Sequence, residues 1–278
     1  FIDYLSRCSY LLQQGLFVGD VCFFYGDQAP NFFPLFHSVP EKPRIKGLGI
    51  GYDYDVVNTD VILNRMSVKD GRLVLSDGMS YAIMLLPEQT HMPLSMLRKI
   101  SELVKAGATV VGPRPTTIPG LKDWEKENVL LNRLSGEMWG ATDGKTVFEN
   151  KYGEGRVIWG NSADEVLQRK QIIPDFSFTG SSEIDYIHRT TDIGEIYFLR
   201  NESEETVKPT CRFRVTGMYP EIWDASTGAI SRVADFTKGD GETSFEVIMP
   251  AHGSVFIVFS KDSRGKLAVF ADNKADAN

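Results

Sequence analysis

Acidic and aromatic side chains crowd together between Gly51 and Asp60, in the run GYDYDVVNTD. Asp53, Asp55 and Asp60, with the amide of Asn58, can accept the hydroxyl hydrogen bonds of a sugar or surround a hard cation. Tyr52 and Tyr54 offer ring faces to the apolar side of a sugar ring. The spacing is not that of an EF-hand, because the loop glycine and the bidentate Glu are missing. The same residues also have a local use. Asn58 or Thr59 can cap a helix running through Val61-Ile62-Leu63-Asn64-Arg65-Met66, with Asp60 in its first turn favoured by the helix dipole. Capping is the commoner use of any single residue here. As a group, Tyr52, Asp53, Tyr54, Asp55 and Asn58 remain the candidate substrate-binding residues.

Other chemistry is thinner. Glycoside hydrolysis needs two carboxyl groups facing each other across a sugar, and Glu88, Glu137, Glu154 and the Asp53/Asp55 pair are conceivable members, none of which stands out. His37, His91, His188 and His252 are dispersed, and each is read as a hydrogen-bonded structural residue. His188 and Arg189 fall in a strand-like run, where alternation sends them to opposite faces and argues against a joint role. Cys8, Cys22 and Cys211 are too few and too scattered for a disulfide framework or a zinc site, and are read as small core residues. No GxGxxG, Walker loop, GxSxG or GxCxG elbow is present, which removes a dinucleotide site, a hydrolase of the elbow type and an amidotransferase nucleophile.

A net charge of -7 argues against nucleic acid or an anionic membrane as a partner. There is no apolar run long enough to cross a bilayer and no signal-peptide pattern. A first residue of Phe rather than Met is what a fragment of a longer chain would show, and a signal peptide would lie in the missing part.

The elements that must position these residues are read from periodicity. Tyr81 to Leu86 is an almost unbroken apolar run closed by Pro87, as in a strand buried on both faces. Pro93 opens a helix with Met96, Leu97, Ile100, Leu103 and Val104 on one face; Gly107 closes it, and Thr109-Val110-Val111 follows as a strand. This βαβ unit predicts parallel strands, in a doubly wound sheet whose first strand is Val18 to Tyr25. The segment GDQAPNFFPLFHSVP reads as a long loop able to line a site or cover a core. Asp70-Gly71 predicts a type I′ hairpin, Val129, Leu130, Leu134 and Met138 predict a helix facing a core, and Gly153-Glu154-Gly155 predicts a second hairpin. Ahead of all this, Asp3 can cap a helix with the stripe Tyr4, Leu5, Cys8, Leu11 and Leu12.

Near Pro174 the texture changes to short alternating strands, which predicts an antiparallel sandwich. The expected organisation is an α/β domain over 1–174, a β-sandwich over 175–262, and a disordered tail over 263–278. Residues 1–15 are read within the first domain as the end of a preceding barrel.

The residues FIDYLSRCSYLLQQGLFVGDVCFFYGDQAP, GYDYDVVNTDVIL, VKDGRLVLSDGMSYAIMLLP, LRKISELVKAGATVVGPRP, EIDYIHR, EIYFLRN, FRVTGMYPEIWDASTG and GSVFIVF, taken in order, resemble the C-terminal part of a glycoside hydrolase family 106 α-L-rhamnosidase. The resemblance runs to about Lys261. It implies a flavodoxin or class I amidotransferase-like α/β domain followed by a β-sandwich, preceded in the intact enzyme by a (β/α)₈-type catalytic barrel. It also implies an inverting, secreted or periplasmic hydrolase of plant polysaccharides with calcium at its rhamnose site. Both catalytic carboxylates of the family sit in the barrel, so no catalytic residue, metal ligand or cofactor is carried over to this chain. The implied partners are the missing barrel of the same polypeptide and a rhamnose-containing saccharide. The alternative is a stand-alone carbohydrate-binding or scaffold module.

Overall fold

The computed structural model describes residues 1–27, 45, 47–120, 123–180 and 183–261. The proline- and aromatic-rich loop read between Gly26 and Pro40 and the tail read over 263–278 fall almost entirely outside them. The chain is mixed α/β with several sheets and divides into two compact units. Gly19–Ile173 forms one; Phe1–Val18 joins the residues from Pro174 onward to form the other.

Helix α1 (Ile2–Leu12) and the short strand β1 (Leu16–Phe17) come first. Phe1, not Asp3, is the N-cap residue, and Asp3 lies in the first turn. Residues 1–15, expected within the first domain as the end of a preceding barrel, thus group with the sandwich. The cause is long-range. Cys8 and Leu11 of α1 bury themselves against Ile196, Trp223, Phe256 and Val258 of the later strands, and Arg189 donates to the carbonyls of Gln14 (2.5 Å) and Gly15 (2.7 Å). Gly15 has φ +55°, and a Cβ there would lie 1.9 Å from the Thr190 carbonyl, so only glycine lets the chain pass this close.

The α/β unit runs β2 (Val21–Phe24), β3 (Tyr54–Val57), α2 (Thr59–Arg65), β4 (Met66–Lys69), β5 (Arg72–Leu75), β6 (Ser80–Tyr81), β7 (Ile83–Leu85), α3 (Leu94–Lys105), β8 (Thr109–Val111), α4 (Trp124–Trp139), β9 (Glu149–Tyr152), β10 (Gly155–Ile158) and α5 (Ala163–Arg169). Its main sheet has the order β3-β2-β7-β8-β10-β9; β9 alone runs antiparallel. One face packs on α2, α3 and α4 through Met84, Ile100, Leu131 and Trp139; the other packs on α5 through Ile83, Val166 and Leu167. Burial on both faces explains the unbroken apolar run at Tyr81 to Leu86. The β4–β5 hairpin turns at Asp70 (φ 51°) and Gly71 (φ 73°), the positive pair that a type I′ turn requires.

Helix α4 forms, but on a different face. Leu131, Ser135, Met138 and Trp139 are buried, while Val129 and Leu130 face solvent. The stripe expected through Val129, Leu130, Leu134 and Met138 was therefore out of phase, and of its members only Met138 is fully buried.

From Pro174 onward come β11 (Phe176–Phe178), β12 (Ile184–Thr190), β13 (Gly194–Asn201), β14 (Thr210–Phe213), β15 (Tyr219–Trp223), β16 (Ile230–Arg232), β17 (Thr237–Gly239), β18 (Glu242–Glu246) and β19 (Ser254–Ser260). Together with β1 they make two antiparallel sheets, β1-β12-β13-β19-β15-β16 and β11-β14-β18-β17. Phe176, Tyr197, Phe213, Phe245, Ile257 and Phe259 fill the space between them. In β19, Val255, Ile257 and Phe259 face that core, while Phe256 and Val258 face α1. This strand is continuously apolar because the helix covers its outer face.

Candidate functional site

Strand β3 decides what the acidic and aromatic cluster can do. Tyr52 and Asp53 precede it, at the amino end of the parallel sheet, where the Asp53 carbonyl accepts from the amide of Asp20 at 2.9 Å. Asn58 follows it, at the carboxyl end. Six residues of extended chain separate Tyr52 from Asn58 by about 20 Å. Alternation divides the cluster again. Tyr52 and Tyr54 pack with Val21 and Val166 on the α5 side, and the Tyr52 hydroxyl donates to the Ile172 carbonyl at 2.8 Å. Asp55 lies on the other side, where it accepts from the Tyr81 hydroxyl at 2.8 Å. The tyrosine rings and the Asp55 carboxylate consequently cannot meet one sugar together.

Each residue has local work. The Asp53 carboxylate accepts from the Tyr54 amide at 2.8 Å. Asn58 caps α2, its side-chain oxygen accepting from the Val61 amide at 3.1 Å, with Asp60 in the first turn. Burial raises the pKa of Asp55 and the neighbouring Asp77 charge adds to this, while the Tyr81 hydrogen bond lowers it. Burial, followed by the Asp55 charge, pushes the Tyr81 hydroxyl far up, so it stays a donor. Burial likewise keeps the thiol of Cys22, beside Asp55 in the strand register, protonated. The two carboxylates do not fit calcium, which takes six to eight oxygens, and no three His, Cys, Asp or Glu side chains among the described residues form a metal-holding group.

The order of the sheet reverses at β2, which lies between β3 and β7; in parallel sheets ligands are met at the carboxyl ends beside such a point. There the chain presents Asp27, which accepts from the Thr59 hydroxyl, and Pro87-Glu88-Gln89 after β7. These groups can hydrogen-bond a polar ligand, but the turn holds neither the serine nor the cysteine of a nucleophile elbow. Glu137 lies on α4 paired with Arg133, and Glu154 lies in the β9–β10 turn, so the remaining carboxylates are spread over separate elements.

The strongest electrostatic feature lies in the other unit. His188 on β12 is buried, with Nδ1 2.9 Å from Asp175 and Nε2 3.0 Å from Glu195 on β13. Its ring stacks on Tyr197 at 3.8 Å, the Tyr197 hydroxyl donates to Asp175 at 3.1 Å, and Arg214 lies 3.3 Å from Asp175. Burial alone would lower the imidazole pKa. The charge and hydrogen bond of Asp175, then those of Glu195, outweigh it and raise the value to about 9. Both ring nitrogens are occupied, so the imidazolium holds the two carboxylates together and has no nitrogen left for a substrate. Arg189 points the opposite way, as alternation requires. Nothing in the sequence joins Asp175, His188, Glu195 and Arg214, beyond the position of His188 among inward residues of a strand.

A glycoside hydrolase family 106 model, described as alpha-L-rhamnosidase, matches residues 1–238. A protein of Formosa agariphila named "Putative beta-glucuronidase" is 34% identical over 269 residues, covering 96% of this chain and 21% of that protein. The solved rhamnosidase from Novosphingobium sp. PP1Y superposes with a TM-score of 0.83 at 31% identity, over 94% of this chain and 24% of the other. The chain thus spans between a fifth and a quarter of the length of these two relatives.

Proposed function

The chain belongs to glycoside hydrolase family 106, the α-L-rhamnosidases, and we propose that it serves such an enzyme as a non-catalytic C-terminal region. It supports the catalytic barrel and lends a loop to the rim of the sugar site. The disposition of its carboxylates carries this reading: Glu88, Glu137 and Glu154 sit on separate turns and helices, and the one pair close along the chain, Asp53 and Asp55 at β3, is engaged by the Tyr54 amide and the Tyr81 hydroxyl, whereas hydrolysis needs two carboxyl groups on either side of one sugar. The order of the parallel sheet, with its first strand between the second and third, supports a flavodoxin or class I amidotransferase-like architecture. The turn after β7 lacks the nucleophile such a site would need. In this reading any calcium belongs to the barrel, and the enzyme acts outside the cytoplasm on rhamnose-containing polysaccharide.

The two relatives are named for different glycosides, so the test offers both an aryl α-L-rhamnoside and an aryl β-D-glucuronide. The chain alone should release no aryl alcohol from either, while a form extended by the barrel should hydrolyse one of them. Turnover by the chain alone refutes the proposal. Calorimetric affinity for rhamnose oligosaccharides that Asp53→Ala abolishes would instead make the chain a carbohydrate-binding module.

A further inference from the structure

A groove of about 610 Å³ lies on the outer face of the sheet β11-β14-β18-β17, within the roughly 300–1,000 Å³ of small-molecule sites. Alternation puts Phe213 and Phe245 in the sandwich core and turns Thr210, Ser244 and Glu246 outward. Thr237 pairs with Ser244 and shares that outer face. The floor thus offers a hydroxyl on each of three neighbouring strands, β14, β18 and β17, at steps of about 4.8 Å. A solvated sheet face is ordinarily polar, yet Phe236 and Ile248, the latter 62% exposed, border this one. Phe236 is braced by residues that do not line the groove: Tyr219 meets its ring edge-on at 6.3 Å, and the Lys238 ammonium lies 5.1 Å from the ring centre. Of the charged groups in the lining, Lys208 and Glu246 engage each other at 3.2 Å. The Asp235 carboxylate has no partner among the described residues, so it is open to a ligand.

We infer that this groove binds a short neutral stretch of a saccharide chain laid across the strands. The strand step is close to the length of one sugar unit, so successive units meet Thr210, Ser244 and Thr237 in turn. Asp235 accepts from sugar hydroxyls, and Phe236 and Ile248 take the C–H side of the sugar rings. The inference rests on the proposal that the chain serves an enzyme of rhamnose-containing polysaccharide. Three observations select this ligand. Both β14 and β18 are hydrogen-bonded on either side, so the floor has no open backbone edge on which an extended peptide could add as a strand. Two carboxylates, Asp235 and Glu246, stand against the single ammonium of Lys208, a balance that repels an acidic sugar. And hydroxyls beside an apolar border match the alternation of polar and C–H surface that a sugar chain carries.

The test titrates the isotope-labelled chain with a linear tetrasaccharide of L-rhamnose and follows the backbone amides by NMR. Saturable shifts should gather at residues 208–210, 234–237 and 244–248. Asp235→Ala, at an exposed position, should weaken the affinity about tenfold, the loss of one hydrogen bond to a charged group. Ser244→Arg, which fills the groove, should abolish the shifts. Both variants should melt within about 2 °C of the unsubstituted chain, because neither side chain is in the core. If Ser244→Arg unfolds the chain, Asp235→Ala decides by itself. No saturable shift, shifts gathered elsewhere, or an affinity that Asp235→Ala leaves unchanged overturns the inference. So does a response that Asp53→Ala removes, which would move the sugar to β3. Tighter binding of a tetrasaccharide in which a uronic acid alternates with rhamnose overturns the neutral ligand. Glycosidase activity in the isolated chain would defeat the non-catalytic reading without moving any of these readouts.

Discussion

Raising the pH from 6.5 to 9 is expected to cost the sandwich unit about 3 kcal/mol of stability, all of it through His188. The folded-state pKa of about 9 lies above the ordinary 6.5. Between those values the folded protein holds a proton that the unfolded chain has released, so stability falls with a slope of about 1.4 kcal/mol per pH unit. The contribution is complete below pH 6.5 and gone above 9. Its source is Asp175 and Glu195, which face one another through a neutral ring once the proton leaves, with Arg214 beside Asp175. The assay is urea unfolding at pH 6 to 9.5, followed by hydrogen exchange in peptides from β12 and β13 so that this unit is read by itself. His188→Gln serves as the control that cannot titrate. The difference between wild type and His188→Gln should shrink steadily over this range, and the imidazole resonance missing from the variant should titrate near 9. A resonance titrating at or below 6.5, or equal pH slopes in both proteins, refutes the reasoning.

Three further outcomes are expected. Tyr81→Phe removes the donor to Asp55 and should destabilise the α/β unit by about 1–2 kcal/mol at pH 7; the loss should diminish toward pH 4 as Asp55 protonates, which urea midpoints at the two pH values will show. Gly155→Ala should cost about 3 kcal/mol or more, because a Cβ there would lie 2.2 Å from the Ala108 carbonyl and 2.4 Å from that of Val104, both main-chain atoms with little room to yield; calorimetric melting reads it. Asn58→Ala should cost about 1 kcal/mol through the lost cap of α2, and should leave any sugar affinity measured by calorimetry unchanged.

Local features were legible in the chain. The helix through Met96 to Val104, the Asp70-Gly71 turn, the Asn58 cap and the doubly buried strand near Ile83 rest on interactions within a few residues, which spacing and turn chemistry record directly. The family resemblance was legible too, because it lies in the order of the residues themselves. The face of α4 was not. Val129-Leu130-Leu131 supplies apolar residues at adjacent positions, about 100° apart around the helix, and only the sheet and α3 beneath select Leu131.

Tertiary structure alone decided three other points. It set α1 on the sandwich, because its partners Ile196 and Phe256 come almost two hundred residues later or more. It assembled Asp175, His188, Glu195 and Arg214 into a buried network, since strand register sets which distant charges meet. And it took apart the cluster that the sequence made most suggestive. Tyr52, Asp53, Tyr54, Asp55 and Asn58 are close along the chain, but an extended strand sends neighbours to opposite faces and separates its ends, so closeness in sequence became distance in space.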